Sequence, residues 1–196
     1  MTQADLFADP FIAGLDYRAD FITRDEERDL LAHLQAMDLA PFRFQGWTGN
    51  RKTQSYGWRY DFDDASFLPT EPIPHWLIRL RDKAAEFAGD EIAHALIARY
   101  DSGAGIGWHK DRSVFDRVVG VSLGSPAILR FRQRTPTGFT RFHLPVEPRS
   151  AYLLSDEARY EWEHRIVPGD ELRFSITFRT MSDIGRGKAA QAQRSS

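Results

Sequence analysis

The chain has 196 residues, 42% of them hydrophobic and 13% aromatic, and a formal net charge of −2; that is enough apolar material for one core-bearing domain that folds without metal or disulfide staples. It contains no cysteine, which excludes disulfides, thiolate metal sites, iron–sulfur clusters and cysteine nucleophiles, so any metal must be held by His, Asp or Glu. The charge balance gives no global pull on nucleic acid, and without a signal-like or membrane-length apolar run the expectation is a soluble cytoplasmic protein with no membrane partner.

Residues 1–20 read as an irregular leader that lends a few apolar anchors, Phe7, Phe11 and Ile12, to a single domain spanning 21–181. Thr23-Arg24-Asp25-Glu26 matches a capping box, and Leu30, Leu31, Leu34 and Met37 follow at helical spacing, so a first helix is expected to end near Met37. The stretch from Phe42 to Phe62 is aromatic and basic, broken by Gly46, Gly49 and Gly57, and reads as loop and hairpin. After Pro69, Pro72 and Pro74, a second helix is expected from about His75 to Phe87, stopping at Gly89.

From about residue 93 the pattern changes to short strands: 96–100, 117–123, 127–134, 140–146, 151–154, 161–167 and 171–180, separated by Gly, Pro and Asp turns. Many short strands behind two helices predict a mainly β, α+β architecture, an antiparallel sandwich or barrel with the N-terminal helices packed outside. The small, polar tail 182–196 is expected to be disordered.

The chemistry starts at His109-Lys110-Asp111, reached from Tyr100 through a loop with Gly103, Gly105 and Gly107. In extended backbone, residues two apart point to one side, so His109 and Asp111 can share a metal. A further histidine would complete a two-histidine, one-carboxylate set, which leaves coordination positions open and favours Fe(II). The preferred third ligand is His164, set among Tyr160, Trp162 and Ile166 just before a Pro168-Gly169-Asp170 turn, with His143 as runner-up. In the strand after that turn, Leu172, Phe174, Ile176 and Phe178 alternate with Arg173, Ser175, Thr177 and Arg179. Two arginines framing two hydroxyls suit a dicarboxylate, because guanidinium groups grip carboxylates through paired hydrogen bonds.

Taken together these parts resemble the AlkB family of Fe(II)/2-oxoglutarate-dependent dioxygenases. The family's order is a tyrosine strand, a glycine-bearing loop, H-x-D, a V-S-L-G strand, a distal histidine after an S-R-Y-like segment, and a final R-x-N-x-T-x-R strand. Here it reads Tyr100, Gly103, His109 to Asp111, Val121-Ser122-Leu123-Gly124, Ala158-Arg159-Tyr160 ahead of His164, and Arg173 to Arg179.

The resemblance implies a double-stranded β-helix, or jelly roll, with Fe(II) on His109, Asp111 and His164. It also implies that 2-oxoglutarate is held by Tyr100 and Arg173, with Arg179 lining the same pocket and Ser175 on the same strand face. Two family asparagines are replaced by Ala98 and Ser175, and the acidic residue that the bacterial repair enzyme carries two positions after the metal aspartate is Ser113 here. Cosubstrate contacts are therefore expected to be fewer, and base preference does not transfer.

The activity implied is oxidation of a substrate carbon at the expense of 2-oxoglutarate and dioxygen, releasing succinate and carbon dioxide. If the carbon is an N-methyl on a base of alkylated DNA or RNA, the product sheds formaldehyde and the alkylation is reversed. Segment 42–62 lies where the family has its nucleotide-recognition lid, so Trp47, Arg51, Tyr56, Trp58 and Tyr60 are candidate substrate contacts. Arg130 and Arg132, alternating with Arg134 along one strand face and followed by Arg141, His143 and Arg149, form a stripe suited to phosphates. The alternatives are a protein or small-molecule hydroxylase on the same fold, and a binding module without catalysis.

Overall fold

The computed structural model describes residues 12–44, 47–60 and 66–194. In chain order the elements are β1 (Leu15–Arg18), α1 (Arg24–Ala36), β2 (Ala40–Phe44), β3 (Trp47–Tyr60), β4 (Phe67–Pro69), α2 (Ile78–Ala88), β5 (Ile92–Tyr100), β6 (Ile106–His109) and β7 (Phe115–Leu123). They continue with β8 (Ala127–Thr135), β9 (Gly138–Val146), β10 (Ala151–Leu154), α3 (Asp156–Tyr160), β11 (Glu163–Ile166), β12 (Arg173–Met181) and α4 (Asp183–Arg194).

Two antiparallel sheets face each other. The larger runs β1-β10-β7-β12-β5-β3-β2, with β4 paired to β3, and the smaller runs β6-β11-β8-β9. One face of the large sheet carries Ala95, Ile97, Val119, Val121, Ile176 and Phe178 against Leu30 and Leu34 of α1 and Leu80 and Phe87 of α2. Its other face meets Leu129, Phe131 and Ile166 of the small sheet through Ala98, Tyr100 and Tyr152. Fully burying side chains of this size stabilises by about 1.5–3 kcal/mol each, so both layers of core belong to the apolar pattern rather than to any bound group.

α1 begins as the capping box requires: the Glu26 amide donates to Thr23 Oγ1 at 3.2 Å while the Thr23 amide donates to the Glu26 carboxylate at 2.8 Å. Lys83 of α2 donates to that same carboxylate at 2.7 Å, tying the two helices together. α2 stops where Gly89 takes a left-handed conformation, φ 69°.

Two expectations are corrected at the chain ends. The segment read as an irregular leader holds β1, which pairs with β10 from Leu15 opposite Leu154 to Arg18 opposite Ala151, and Ile12 is buried; Phe7 and Phe11 lie outside the described residues. Of the tail expected to be disordered, Asp183–Arg194 forms α4, in which Gly185 and Ala189 are buried. Within the described part of the 42–62 segment β2 and β3 pair antiparallel, in line with the expected hairpin, but β3 is also a regular member of the large sheet, paired with β5 from Lys52 opposite Arg99 to Gly57 opposite His94. Among the described residues, no helix is long and apolar enough to cross a membrane.

Candidate active site

β12 shows the predicted alternation, but both of its faces are buried. Phe174, Ile176 and Phe178 pack towards the helices, while Arg173, Ser175 and Thr177 are 4%, 6% and 9% exposed and face the space between the sheets. A buried row of polar side chains requires partners. Arg173 has Tyr100 directly opposite on β5, its guanidinium 5.2 Å from the ring centre. One of its terminal nitrogens donates to Ser122 Oγ at 3.2 Å, while Nε and Nη1 are buried with no hydrogen bond. Leaving such donors unpaired costs several kcal/mol, and a carboxylate is the acceptor that matches them.

A cavity of about 470 Å³ opens at this point, lined among others by Tyr100, Ala127, Ile166 and Arg173. Ser175 sits opposite Ala98 and Ser122 on the same inner face. Tyr152 of β10 also lies there, buried, its ring laid across Gly120, where a Cβ would come within 2.2 Å of the tyrosine Cζ. Burial raises the Tyr152 hydroxyl well above its ordinary pKa, against the opposing pull of the Arg173 charge, so it is a neutral donor on this inner face.

The histidines and the aspartate converge on the other strands of the same interior. His109 at the end of β6 stands opposite His164 of β11, with ring centres 4.3 Å apart. Asp111 Oδ2 is 3.6 Å from His164 Nε2 and is buried without a hydrogen bond, while Asp111 Oδ1 accepts from Arg179 Nε at 2.7 Å. His109 Nδ1 lies 2.8 Å from the Gly107 carbonyl; a carbonyl accepts, so Nδ1 carries the proton and Nε2 keeps its lone pair.

Burial holds His109 below its ordinary pKa, with the nearby Arg51 and Arg179 charges adding to the effect, and burial together with His109 pushes His164 down to about 3. Burial alone would raise Asp111, but the Arg179 guanidinium and the two histidines outweigh it and hold the carboxyl well below the usual range. Two neutral imidazoles beside an ionised carboxylate are the protonation states that metal binding needs.

Among the described residues no three His, Asp or Glu side chains stand close enough to form a ready-made metal cage. The donor chemistry nevertheless fits Fe(II): two imidazoles, one carboxylate, and an orphaned buried carboxylate oxygen that a cation would satisfy.

Four site residues carry no role in the sequence reading. His94 of β5 is 5% exposed, accepts at Nδ1 from Arg179 at 3.2 Å, and rests against Phe115 at 4.7 Å. It shares the strand face of Ala98 and Tyr100, so starting that strand two residues earlier would have exposed it. Arg159 is buried and donates at 2.7 Å to the carbonyls of Arg112, Phe115 and Asp116, pinning the segment that follows Asp111. Lys110 adds a 2.7 Å bond to the Tyr160 carbonyl. Arg159 belongs to the S-R-Y-like motif, which signalled its presence but not this task. Tyr152 left no sequence signal beyond its place in a short strand.

Arg179 is bonded to Asp111 and His94, whereas the cavity is lined at its far end by Arg173, six residues away or roughly 20 Å along the strand. Arg51 is 8% exposed, its guanidinium 4.0 Å from the Phe42 ring centre. Tyr56 packs on the helix-side core, and Trp58 stacks on Phe67 at 5.1 Å in a cluster that also takes in Tyr60, Phe115 and Ala189. The side chain of Trp47 lies outside the described residues. Arg130, Arg132 and His143 project from the outer face of the small sheet, since their neighbours Leu129, Phe131 and His164 point inward. His143 is thereby separated from Asp111 by the sheet.

Residues 18–179 match the family described as the 2OG-Fe(II) oxygenase superfamily. The chain belongs to that superfamily. It is an AlkB-like member: it is 28% identical over 186 residues to the tRNA (carboxymethyluridine(34)-5-O)-methyltransferase ALKBH8 of Mus musculus, a match covering 88% of this chain and 28% of that protein. It is 27% identical over 184 residues to the alkylated DNA repair protein ALKBH8 homolog of Arabidopsis thaliana, covering 79% of this chain and 51% of that one. The chain thus spans about a quarter of the first protein and about half of the second. An uncharacterized protein, L905, of Acanthamoeba polyphaga mimivirus is 29% identical over 190 residues, covering 86% of this chain and 85% of that protein.

Among solved structures the oxygenase fold matches OsALKBH1 with a TM-score of 0.64 at 16% identity, over 88% of this chain and 100% of that one. A Pseudomonas putida prolyl-4-hydroxylase matches with a TM-score of 0.60 at 18% identity, over 86% and 93%. The two facing antiparallel sheets are therefore a double-stranded β-helix, and the protein is a dioxygenase of the 2OG-Fe(II) type.

Proposed function

We propose that this dioxygenase oxidatively removes alkyl groups from bases of DNA or RNA, with Fe(II) held by His109, Asp111 and His164 and with 2-oxoglutarate anchored by Arg173 and Tyr100. The observation that carries the site assignment is the pair of orphans on one interior: the unbonded Arg173 donors in the cavity and the unbonded Asp111 Oδ2 beside His164. One asks for a carboxylate, the other for a cation. Fe(II) with 2-oxoglutarate and dioxygen supplies the oxidising chemistry, giving succinate, carbon dioxide and a hydroxylated substrate carbon.

The chain's own residues do the positioning. His109 and His164 present neutral nitrogen lone pairs, Arg179 clamps Asp111 Oδ1 so that Oδ2 faces His164, and Arg173 orients the distal carboxylate, with the Tyr152 hydroxyl as a further donor on that face. Phe131, 6.1 Å from the His164 ring, and Leu129 form a dry wall. Arg51 of β3, whose charge contributes to lowering the His109 pKa, is the hairpin's candidate contact for the incoming substrate.

The nucleic-acid part of the reading is supported by the names of the ALKBH8 relatives, one concerned with tRNA and one with alkylated DNA. The second reading, a protein hydroxylase, draws on the prolyl-4-hydroxylase likeness of fold. Mass spectrometry separates the two: methylated single-stranded DNA, duplex DNA and tRNA, alongside peptide pools, are incubated with enzyme, Fe(II), 2-oxoglutarate and air. Loss of a methyl from a base supports the first reading, and oxygen gained by a peptide with every oligonucleotide unchanged replaces it with the second.

A further inference from the structure

The strands that turn His109 and His164 inward turn a different set of side chains outward. On the outer face of the small sheet Arg130 has Arg165 directly across on β11, while Arg132 stands between Arg141 on β9 and Glu163 on β11. Trp108, one residue before His109, lies on the edge strand β6 with the Arg132 and Arg165 guanidiniums 4.5 and 4.9 Å from its ring centre. Arg132 is paired with Glu163 at 2.6 Å. Arg130 has no such partner among the described residues, and the Nε atoms of Arg130 and Arg165 are buried without a hydrogen bond.

Like charges placed directly across a strand pair destabilise a sheet. This chain carries a net charge of −2, so the concentration of guanidiniums on one face does not follow from a generally basic composition. A polyanion lying along the face relieves the repulsion, since each phosphate can bridge neighbouring arginines. The surface is a sheet and offers no helix to enter a duplex groove, while an indole with guanidiniums over its ring combines the aromatic and cationic groups that hold unpaired bases and their phosphates.

We propose that the outer face of the small sheet is a docking platform for single-stranded nucleic acid, with Arg130, Arg141 and Arg165 on phosphates and Trp108 beneath a base. The platform rests on the nucleic-acid reading of the function and extends it. Because β6 is the edge strand and Trp108 adjoins His109, a strand held on this face passes over the edge towards the active site. The substrate is thereby gripped at a surface separate from the cavity in which it reacts.

The test is fluorescence anisotropy of a short, unmodified, labelled single-stranded oligonucleotide with the full chain across a potassium chloride series, for wild type, the Arg130→Gln/Arg165→Gln double variant and Trp108→Ala. Thermal melts of each protein establish that it is folded. The double variant is expected to lower the slope of log affinity against log salt by about 1.4, from two contacts at about 0.7 each for single strands. Trp108→Ala is expected to weaken binding about tenfold with the slope unchanged. A folded double variant with wild-type slope and affinity overturns the platform, as does equally arginine-dependent binding of the duplex form.

Failure of the proposed reaction looks different. Salt-dependent binding that the double variant loses, with no alkylated base ever oxidised, leaves the platform standing and removes the reaction. Oxidation of alkylated oligonucleotides that is indifferent to all three substitutions does the reverse.

Discussion

At the scale of single residues, the site depends on buried groups whose pairing is incomplete within the protein. Arg173→Ala removes the buried guanidinium from the cavity, so 2-oxoglutarate affinity is expected to fall by on the order of 2 to 5 kcal/mol while metal affinity changes little. Titrating cosubstrate and Mn(II), as a redox-inert probe, into the variant checks both. Unchanged 2-oxoglutarate affinity would remove Arg173 from its assigned place. His94 acts at one remove, holding Arg179 on Asp111. His94→Leu is expected to weaken Mn(II) binding by about tenfold or more, as loss of groups behind metal ligands commonly does, and His94→Gln, which keeps an acceptor, to recover part of the loss.

The buried histidines also set a pH dependence. His94, His109 and His164 all have folded pKa values below the ordinary one, with burial the leading cause and His164 near 3. As pH falls below about 6.5 the unfolded chain takes up protons that the folded chain refuses, so metal-free stability drops from there downward, by up to about 1.4 kcal/mol per histidine per pH unit. Melts of metal-free protein should show a lower Tm at mildly acidic pH than at neutral pH. A Tm that is flat over that range would mean that the three imidazoles are not buried neutral.

At the scale of elements, what was legible in the sequence followed from periodicity and caps. The alternation in β12 named the inward row Arg173, Ser175, Thr177 before any partner strand was known, and Thr23 with Glu26 marked the start of α1. The H-x-D pair was legible because residues two apart share a side. α4 was not legible, because the side it buries is Gly185 and Ala189 rather than a stripe of large apolar residues, and small residues leave no hydrophobic period. Its contact is close instead: a Cβ on Gly185 would fall 2.1 Å from the Val114 carbonyl oxygen.

Gly185→Val is therefore expected to lift the helix from the Phe67–Phe115 cluster and destabilise by about 1–3 kcal/mol, read as a fall in Tm; a Tm equal to wild type would mean that the helix is not docked there. Trp58 illustrates the opposite difficulty. An aromatic in a glycine-broken segment looks the same in sequence whether it stacks on a substrate base or, as here, on Phe67. The pairing of β3 with β4, which sets Trp58 opposite Pro69, decides its surroundings, and no local pattern encodes that pairing.

At the scale of the whole molecule, two layers of apolar core hold the sheets and helices together, and the polar interior is an inclusion between them. The fold should therefore survive without its metal. Chelated protein is expected to keep its secondary structure by circular dichroism, and adding Mn(II) with 2-oxoglutarate at a hundred times their dissociation constants to stabilise it by about 2.7 kcal/mol for each independent site. Collapse of the chelated protein would show that the metal is structural. The sandwich also separates the two faces of the small sheet, one turned to the active site and one to solvent, which is why His164 and Arg165, adjacent in sequence, belong to different surfaces.

The central claim is that this site couples 2-oxoglutarate turnover to removal of an alkyl group from a nucleic-acid base. It is tested most directly by measuring succinate and formaldehyde together during turnover of a methylated oligonucleotide with Fe(II), for wild type and for Asp111→Ala. The expected result is equimolar succinate and formaldehyde from wild type and neither from the variant, which remains folded. Succinate without formaldehyde from every methylated oligonucleotide, or equal product from Asp111→Ala, would contradict it.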